Sequence, residues 1–139
     1  MNYFNLILPV LFLTGCVKSA PKEPTHNYHE TKDCLIPWTD IFEQVDDDYL
    51  VYFYSERCGY CNEIKQDVLS FYLELKPVMY FVCTDLDAIF GPSKDLKGIN
   101  NIDDFYIFGT PFLLRVYTHQ VEDYYVGKNQ ILDYINHFS

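Results

Sequence analysis

The sequence has few basic residues. Its 139 residues include ten Lys and Arg against twenty Asp and Glu, which gives a formal net charge of −10. A chain of this charge is repelled by nucleic acids and by anionic membrane surfaces. The composition therefore excludes nucleic-acid binding as a function class and favours neutral or basic polypeptides as partners.

The sequence also lacks a hydrophobic run long enough to cross a bilayer, which needs roughly 20 residues. The longest apolar stretch, Leu6 to Leu13, is typical of the hydrophobic region of an export signal. It ends in Leu13-Thr14-Gly15-Cys16, which resembles the lipobox of bacterial lipoproteins. That resemblance implies cleavage before Cys16, diacylglycerol on its sulfur, and an extracytoplasmic protein that is lipid-anchored to the bacterial cell membrane.

Three segments follow from this pattern. Residues 1–15 are the predicted lipoprotein signal peptide, and residues 16–33 are a polar tether interrupted by Pro21 and Pro24. Residues 34–139 are the predicted folded domain. The chain is 49% hydrophobic and 18% aromatic, enough for one domain with a sizeable core.

Only one C-x-x-C motif is present, Cys58-Gly59-Tyr60-Cys61. A structural zinc ion needs four ligands, and the other cysteines, Cys34 and Cys83, lack the spacing to complete such a site, so we expect no metal. A structural disulfide closing so small a loop would stabilise little. The motif follows a predicted buried strand, Tyr49–Tyr54, and opens a predicted helix, a context that favours a redox pair.

The periodicity of apolar residues predicts the remaining elements. They are a helix over Trp38–Val45, the strand 49–54, a helix over Cys61–Lys76, a strand over Val78–Cys83, a long connection over 85–101, a helical turn over Phe105–Gly109, strands over Phe112–Tyr117 and Val121–Val126 joined by a tight turn, and a final helix over Asn129–Phe138. This order predicts an α/β fold with a mixed central sheet of about four strands and helices on both faces.

The segment from Val51 to Cys61 resembles the active-site segment of the thioredoxin superfamily. Gly109-Thr110-Pro111-Phe112 resembles the cis-proline loop of that family, and Gly127 matches the glycine before its last helix. The resemblance covers the whole of residues 34–139 and implies a thioredoxin-like fold and thiol–disulfide oxidoreductase activity. The pairing of Cys-Gly-Tyr-Cys with Thr-Pro is similar to the catalytic domain of bacterial periplasmic disulfide isomerases.

The first cysteine of the motif faces the free N–H groups at the start of a helix, which favour its thiolate. Cys58 is therefore the predicted attacking thiolate and Cys61 the resolving cysteine, with Gly59 and Tyr60 shaping the helix entry. The resemblance implies that Thr110 and Pro111, joined by a cis bond, pack against the pair. It implies no cofactor, and it implies protein thiols or disulfides and a redox partner protein as partners.

Several alternatives stay open at this point. The resemblance places a buried acid on the central strand, but Tyr52 stands there, so Glu56 or water could accept the proton of Cys61. Cys34 could be a free thiol, a partner for Cys83 or an intermolecular link, and Cys83 fits a buried packing residue. The chain could also be a non-catalytic binding module, a disulfide isomerase or an accessory protein of bacteriocin export.

Overall fold

A computed structural model describes residues 25–138 of the chain. The predicted signal peptide, Cys16 and most of the tether lie outside these residues. Four strands form one mixed sheet in the order β2-β1-β3-β4: β1 is Asp48–Tyr54, β2 is Met79–Cys83, β3 is Phe112–Tyr117 and β4 is Gln120–Val126. Strand β1 runs parallel to β2 and antiparallel to β3, and β4 is antiparallel to β3.

The central strand β1 is buried on both faces, as its continuous apolar sequence predicts. Its side chains alternate between two hydrophobic clusters, so Tyr49, Val51 and Phe53 face one layer of the core while Leu50, Tyr52 and Tyr54 face the other. This alternation fixes the register of the strand, because a slip by one residue would exchange the two faces.

Both α-helices cover the same face of the sheet. Helix α1 is Gly59–Ser70, continued by a π-helical turn over Phe71–Leu75, and helix α2 is Gly127–Asn136. Each contributes buried apolar residues to the cluster around Tyr52, among them Ile64 and Ile131. Gly127 takes a positive φ of 80°, which lets β4 turn directly into α2.

The other face is covered by short 3-10 helices and by the connection between β2 and β3. Trp38, from the 3-10 helix Trp38–Asp40, packs there with Leu96, Phe105 and Ile107 of the connection. The predicted mixed four-stranded sheet with helices on both faces is therefore confirmed, but within residues 25–138 the α-helices lie on only one face.

The predicted helix over Trp38–Val45 is wrong beyond its first turn. Two side chains take the carbonyl groups that a longer helix would need: Gln44 Nε2 donates to the Asp40 carbonyl at 2.9 Å, and the Tyr49 hydroxyl donates to the Ile41 carbonyl at 2.7 Å. Val45, which the helical pattern placed on the buried face, is 93% exposed.

The predicted helical turn over Phe105–Gly109 is also wrong. The 3-10 turn lies earlier, over Ile102–Asp104, and the segment after it is extended. Both backbone groups of Ile107 are used in a bridge to an earlier part of the same connection. The Ile107 N–H donates to the Ile89 carbonyl at 3.0 Å, and the Ile107 carbonyl accepts from the Gly91 amide at 3.0 Å. These bonds leave no partner for a helical turn at this position.

The folded region begins earlier than residue 34. A 3-10 helix over Tyr28–Cys34, capped by Asn27, lies in the segment predicted as tether. Tyr28 is only 6% exposed and stacks on the ring of Tyr54 with the centroids 3.8 Å apart. A single aromatic residue between polar neighbours shows no apolar periodicity, so the sequence pattern could not predict that this segment packs on the core.

Candidate functional site

The two cysteines of the motif lie where β1 ends and α1 begins. Cys58 is the N-cap of α1, and its Sγ accepts a hydrogen bond from the Cys61 main-chain N–H at 3.1 Å. Cys58 is half-buried, whereas Cys61 is fully buried in the first turn, and the two sulfurs form a disulfide. When the pair is reduced, this N–H and the helix N-terminus stabilise a thiolate on Cys58.

The residues between the cysteines face outward. Tyr60 is 59% exposed, and Lys128 Nζ, from the start of α2, lies 5.1 Å from the centre of its ring. Lys128 also pairs with Glu63 of α1, and this hydrogen bond raises the pKa of the lysine. An ion pair is therefore held beside the exposed edge of the motif, a feature that the sequence pattern did not reveal.

Thr110 lies against Cys58, where the resemblance placed it. The peptide bond between Thr110 and Pro111 is cis, which confirms the prediction. The Thr110 carbonyl oxygen is 3.4 Å from Cys58 Sγ, and the Pro111 carbonyl accepts the Gly127 N–H at 3.0 Å. The loop before β3 thus lies against the sulfur that would meet a substrate, and this loop is hydrogen-bonded to the start of α2.

Asp85, just after β2, braces the loop that carries Cys58. Its carboxylate accepts hydrogen bonds from the Ser55 hydroxyl at 2.6 Å and from the Glu56 main-chain N–H at 3.0 Å. The hydrogen bond from Ser55 is the main cause that lowers the pKa of Asp85. Because the carboxyl ends of parallel strands meet at one edge of a sheet, the positions of Ser55 and Asp85 could have suggested this contact.

We expect Asp85→Ala to loosen this loop. The Glu56 amide would lose its acceptor, and its hydrogen-exchange rate should rise roughly threefold to tenfold, a modest effect for an exposed carboxylate. Acid should act in the same direction. Since the pKa of Asp85 is lowered in the folded protein, its contribution is present above the unfolded value of about 3.9 and is lost as the pH falls through the folded value.

Asp87→Ala is the matched control, because Asp87 is exposed and makes no side-chain hydrogen bond within residues 25–138. Protection of the Glu56 amide that is equal in the two variants would show that Asp85 does not hold the loop.

Tyr52 occupies the position at which the resemblance implies a buried acid. The residue is fully buried in the same hydrophobic cluster as Cys61, and burial raises the pKa of its hydroxyl far above the ordinary value. Tyr52 is therefore protonated at neutral pH and is no base for Cys61. Glu56, the other candidate proton acceptor, is exposed, and its side chain makes no hydrogen bond to Cys61 in the described part of the chain.

The two remaining cysteines of the domain, Cys34 and Cys83, are free and half-buried, so they do not pair with each other. Cys34 Sγ accepts a hydrogen bond from the Tyr72 hydroxyl at 3.2 Å. Burial raises the pKa of the Cys83 thiol, which makes it a poorer nucleophile at neutral pH.

The described residues offer neither a metal site nor a membrane-spanning helix. Within residues 25–138, no group of three or more His, Cys, Asp or Glu side chains is placed to hold a metal ion. No helix in that same range combines the length and the apolar character that crossing a bilayer requires.

The chain matches no family model and no curated protein. Among solved structures, it is similar to mitochondrial thioredoxin 3 from Saccharomyces cerevisiae in its oxidized form, with 13% identity over 68% of this chain and 78% of that chain and a TM-score of 0.45. Thioredoxin f2 from Chlamydomonas reinhardtii is 13% identical over 73% of this chain and 92% of that chain, with a TM-score of 0.45. A thioredoxin from Malassezia sympodialis is 18% identical over 73% of this chain and 86% of that chain, with a TM-score of 0.44.

The fold class follows from the topology of the chain itself. The βαβ unit, the antiparallel β3–β4 pair and the final helix form a thioredoxin-like α/β fold. Within it, a close cysteine pair lies at the junction of the central strand and the first helix. This class of fold and site is suited to thiol–disulfide redox chemistry.

Proposed function

We propose that this protein is a membrane-anchored, extracytoplasmic thiol–disulfide oxidoreductase that acts on protein disulfides through Cys58 and Cys61. One observation carries the proposal: the two sulfurs lie within bonding distance, but only Cys58 is accessible and accepts a main-chain N–H. This difference assigns attack to one sulfur and resolution to the other.

In the first step, the Cys58 thiolate attacks one sulfur of a substrate disulfide. A Cys58–substrate bond forms, the substrate S–S bond breaks, and the departing thiolate takes a proton from solvent. The Cys61 N–H stabilises the attacking anion, whereas the Thr110 carbonyl, 3.4 Å from Sγ, disfavours it. The nucleophile is thus activated by the helix start and held beside the loop that encloses the site.

In the second step, Cys61 loses its proton and attacks Cys58 Sγ. The Cys58–Cys61 disulfide forms, and the second substrate thiolate leaves and takes up the proton that Cys61 has lost, so the substrate has gained two electrons and two protons. A dithiol partner protein must then reduce the pair, and the same steps in reverse would donate a disulfide. Because Cys61 is fully buried, a protein substrate cannot reach it directly.

Turnover of a protein disulfide by the full chain in detergent micelles tests the proposal. With dithiothreitol as the terminal reductant, the protein should accelerate the reduction of insulin disulfides over dithiothreitol alone. Equal rates with and without the protein would contradict the oxidoreductase proposal and favour a non-catalytic binding module.

The cellular location has a separate test at Cys16. If Cys16 carries the lipid, Cys16→Ala should leave the membrane fraction and be secreted or accumulate as an uncleaved precursor, because the sulfur that accepts diacylglycerol is gone. The measurement is membrane fractionation with mass determination of the N-terminus. A Cys16→Ala protein that stays membrane-bound at full length would show that the N-terminal segment is a plain hydrophobic anchor.

A further inference from the structure

A groove lies at the outer edge of β2, at the end of the sheet away from the cysteine pair. It has a volume of about 380 Å³, and its lining includes Cys34, Lys76, Val78 and Met79. Because β1 and β2 are parallel, Val78, which precedes β2, is separated from Cys58, which follows β1, by the length of the strands, about 20 Å. The groove is therefore distinct from the redox site.

Exposed apolar side chains surround this groove. Leu35, next to Cys34, is 42% exposed, Leu75, next to Lys76, is 55% exposed, and Val78 is 47% exposed. Leaving such side chains in water forgoes the free energy that their burial would give, so a cluster of them beside a groove favours a binding surface. We name the groove with Leu35, Leu75 and Val78 the β2-edge surface.

The floor of the groove has main-chain groups without a partner. The Val78 carbonyl accepts the Leu50 N–H of β1, so the next residue, Met79, turns its own N–H and carbonyl away from β1. Phe81 turns the same way, and its carbonyl accepts the Ile36 N–H at 2.9 Å, whereas the outward groups of Met79 make no hydrogen bond within residues 25–138. Buried main-chain groups usually have a partner, so this edge favours a polypeptide as its occupant.

The opposite edge of the sheet is closed by side chains. The Tyr124 N–H of β4 donates to Asp123 Oδ1 at 2.8 Å, and the Val126 N–H donates to Gln130 Oε1 at 2.8 Å. These bonds occupy N–H groups that another strand would need. The start of β2 has no such protection in the described part of the chain.

The β2-edge surface carries charges of both signs. Lys76 lines the groove on the side of the α1 region, and Asp33 directly precedes Cys34 on the side of the 3-10 helix Tyr28–Cys34; neither forms an ion pair within residues 25–138. The other charged residues at its rim are Lys32, Glu74 and Asp46. Two positive and three negative charges nearly balance here, whereas the whole chain carries −10, so a second acidic molecule is repelled least at this surface.

We propose that the β2-edge surface binds a second copy of this chain, so that two molecules meet around a two-fold axis. Such an interface uses the same surface on both partners and therefore needs a hollow beside a projecting side chain, and both signs of charge. The groove with Leu75 meets the first need, and Lys76 with Asp33 meets the second. A partner of one charge sign would match only one side of the groove.

The test measures energy transfer between copies of the full-length protein that carry a donor or an acceptor dye at the C-terminus. Phe138 and Val78 line one shared cavity, so the dyes of a dimer would lie close together. Detergent micelles are kept in large excess, so that two copies seldom share one by chance. Transfer should rise with protein concentration, with half-saturation on the order of 10 μM.

An exchange of charges identifies the surface. Lys76→Glu and Asp33→Lys should each weaken association at least about tenfold, because like charges then face each other twice across the axis. An equal mixture of the two variants should associate within about threefold of the wild type, because opposite charges meet again. Recovery in the mixture would also show that each variant is folded.

Lys97→Glu is the matched control, because it reverses an exposed lysine next to Gly98, which bonds to Val121 at the β4 edge. It should associate as the wild type does. Wild-type protein without concentration-dependent transfer would overturn the proposal, since no second copy would then cover the surface. Single variants that associate like the wild type, or a mixture no tighter than either variant alone, would also overturn it. None of these outcomes depends on redox turnover.

Discussion

Cys58→Ser should lower disulfide exchange to less than about 0.1% of the wild-type rate, because a serine hydroxyl does not form the thiolate that attacks a disulfide. The same variant should trap no partner protein. The helix N-terminus and the Cys61 N–H act on the atom at this position, and no other sulfur of the site is both accessible and so placed. The measurement is insulin reduction with dithiothreitol, followed by non-reducing electrophoresis.

Cys61→Ser should also lose turnover, but for a different reason. Attack by Cys58 still forms the mixed disulfide, whereas the buried thiol that would resolve it is missing, so covalent adducts should accumulate. Dithiothreitol should release these adducts, and their mass would identify the partners. Adducts on Cys58→Ser and none on Cys61→Ser would show that the two roles are reversed.

Phe105→Ala should lower the free energy of unfolding by about 3–5 kcal/mol, the usual cost of deleting a buried aromatic ring. Phe105 is 1% exposed, and its ring contacts those of Trp38, Phe42 and Phe53. This single side chain joins the connection, the 3-10 helix Trp38–Asp40 and the central strand, on the face opposite α1 and α2. Denaturant unfolding followed by far-UV circular dichroism measures the loss.

Phe90→Ala is the matched control, since Phe90 lies in the same connection but is 55% exposed. Its cost should be below about 1 kcal/mol. Equal costs for the two variants would mean that the connection does not complete the core on this face.

The sequence predicts the centre of the fold well because local and long-range signals agree there. The run from Tyr49 to Tyr54 is apolar throughout and is a strand buried on both faces. The turn between β3 and β4 is also predicted, although the two residues with positive φ, Thr118 and His119, are not the glycines such a turn favours.

The errors occur where tertiary contacts override local pattern. Tyr49 and Gln44 take the carbonyl groups that a helix after Trp38 would use. The backbone groups of Ile107 form hydrogen bonds with Ile89 and Gly91, which lie much earlier in the chain. The periodicity of a segment does not predict these hydrogen bonds. It shows which side chains are apolar, but not which groups the backbone will bond to.

The candidate site divides in the same way. The C-x-x-C pair and Thr110–Pro111 have local motifs, and the structure places them together. Asp85 and Lys128 have no motif, and they reach the site only because β2 and α2 fold against it. The contact of Asp85 with Ser55 follows once β1 and β2 are known to be parallel neighbours, whereas the contact of Lys128 with Tyr60 depends on how α2 packs.

The reduction potential of the Cys58–Cys61 pair tests the central claim most directly. The full-length protein is equilibrated in a series of thiol–disulfide buffers, and the free thiols of the pair are counted by alkylation and mass spectrometry. A working redox pair should pass between dithiol and disulfide in one two-electron transition between about −120 and −270 mV, the range of known oxidoreductases of this kind. The transition should be absent from Cys58→Ser. A pair that stays in one state across the whole series, or a transition that survives in Cys58→Ser, would contradict the assignment of Cys58 and Cys61 as the redox centre.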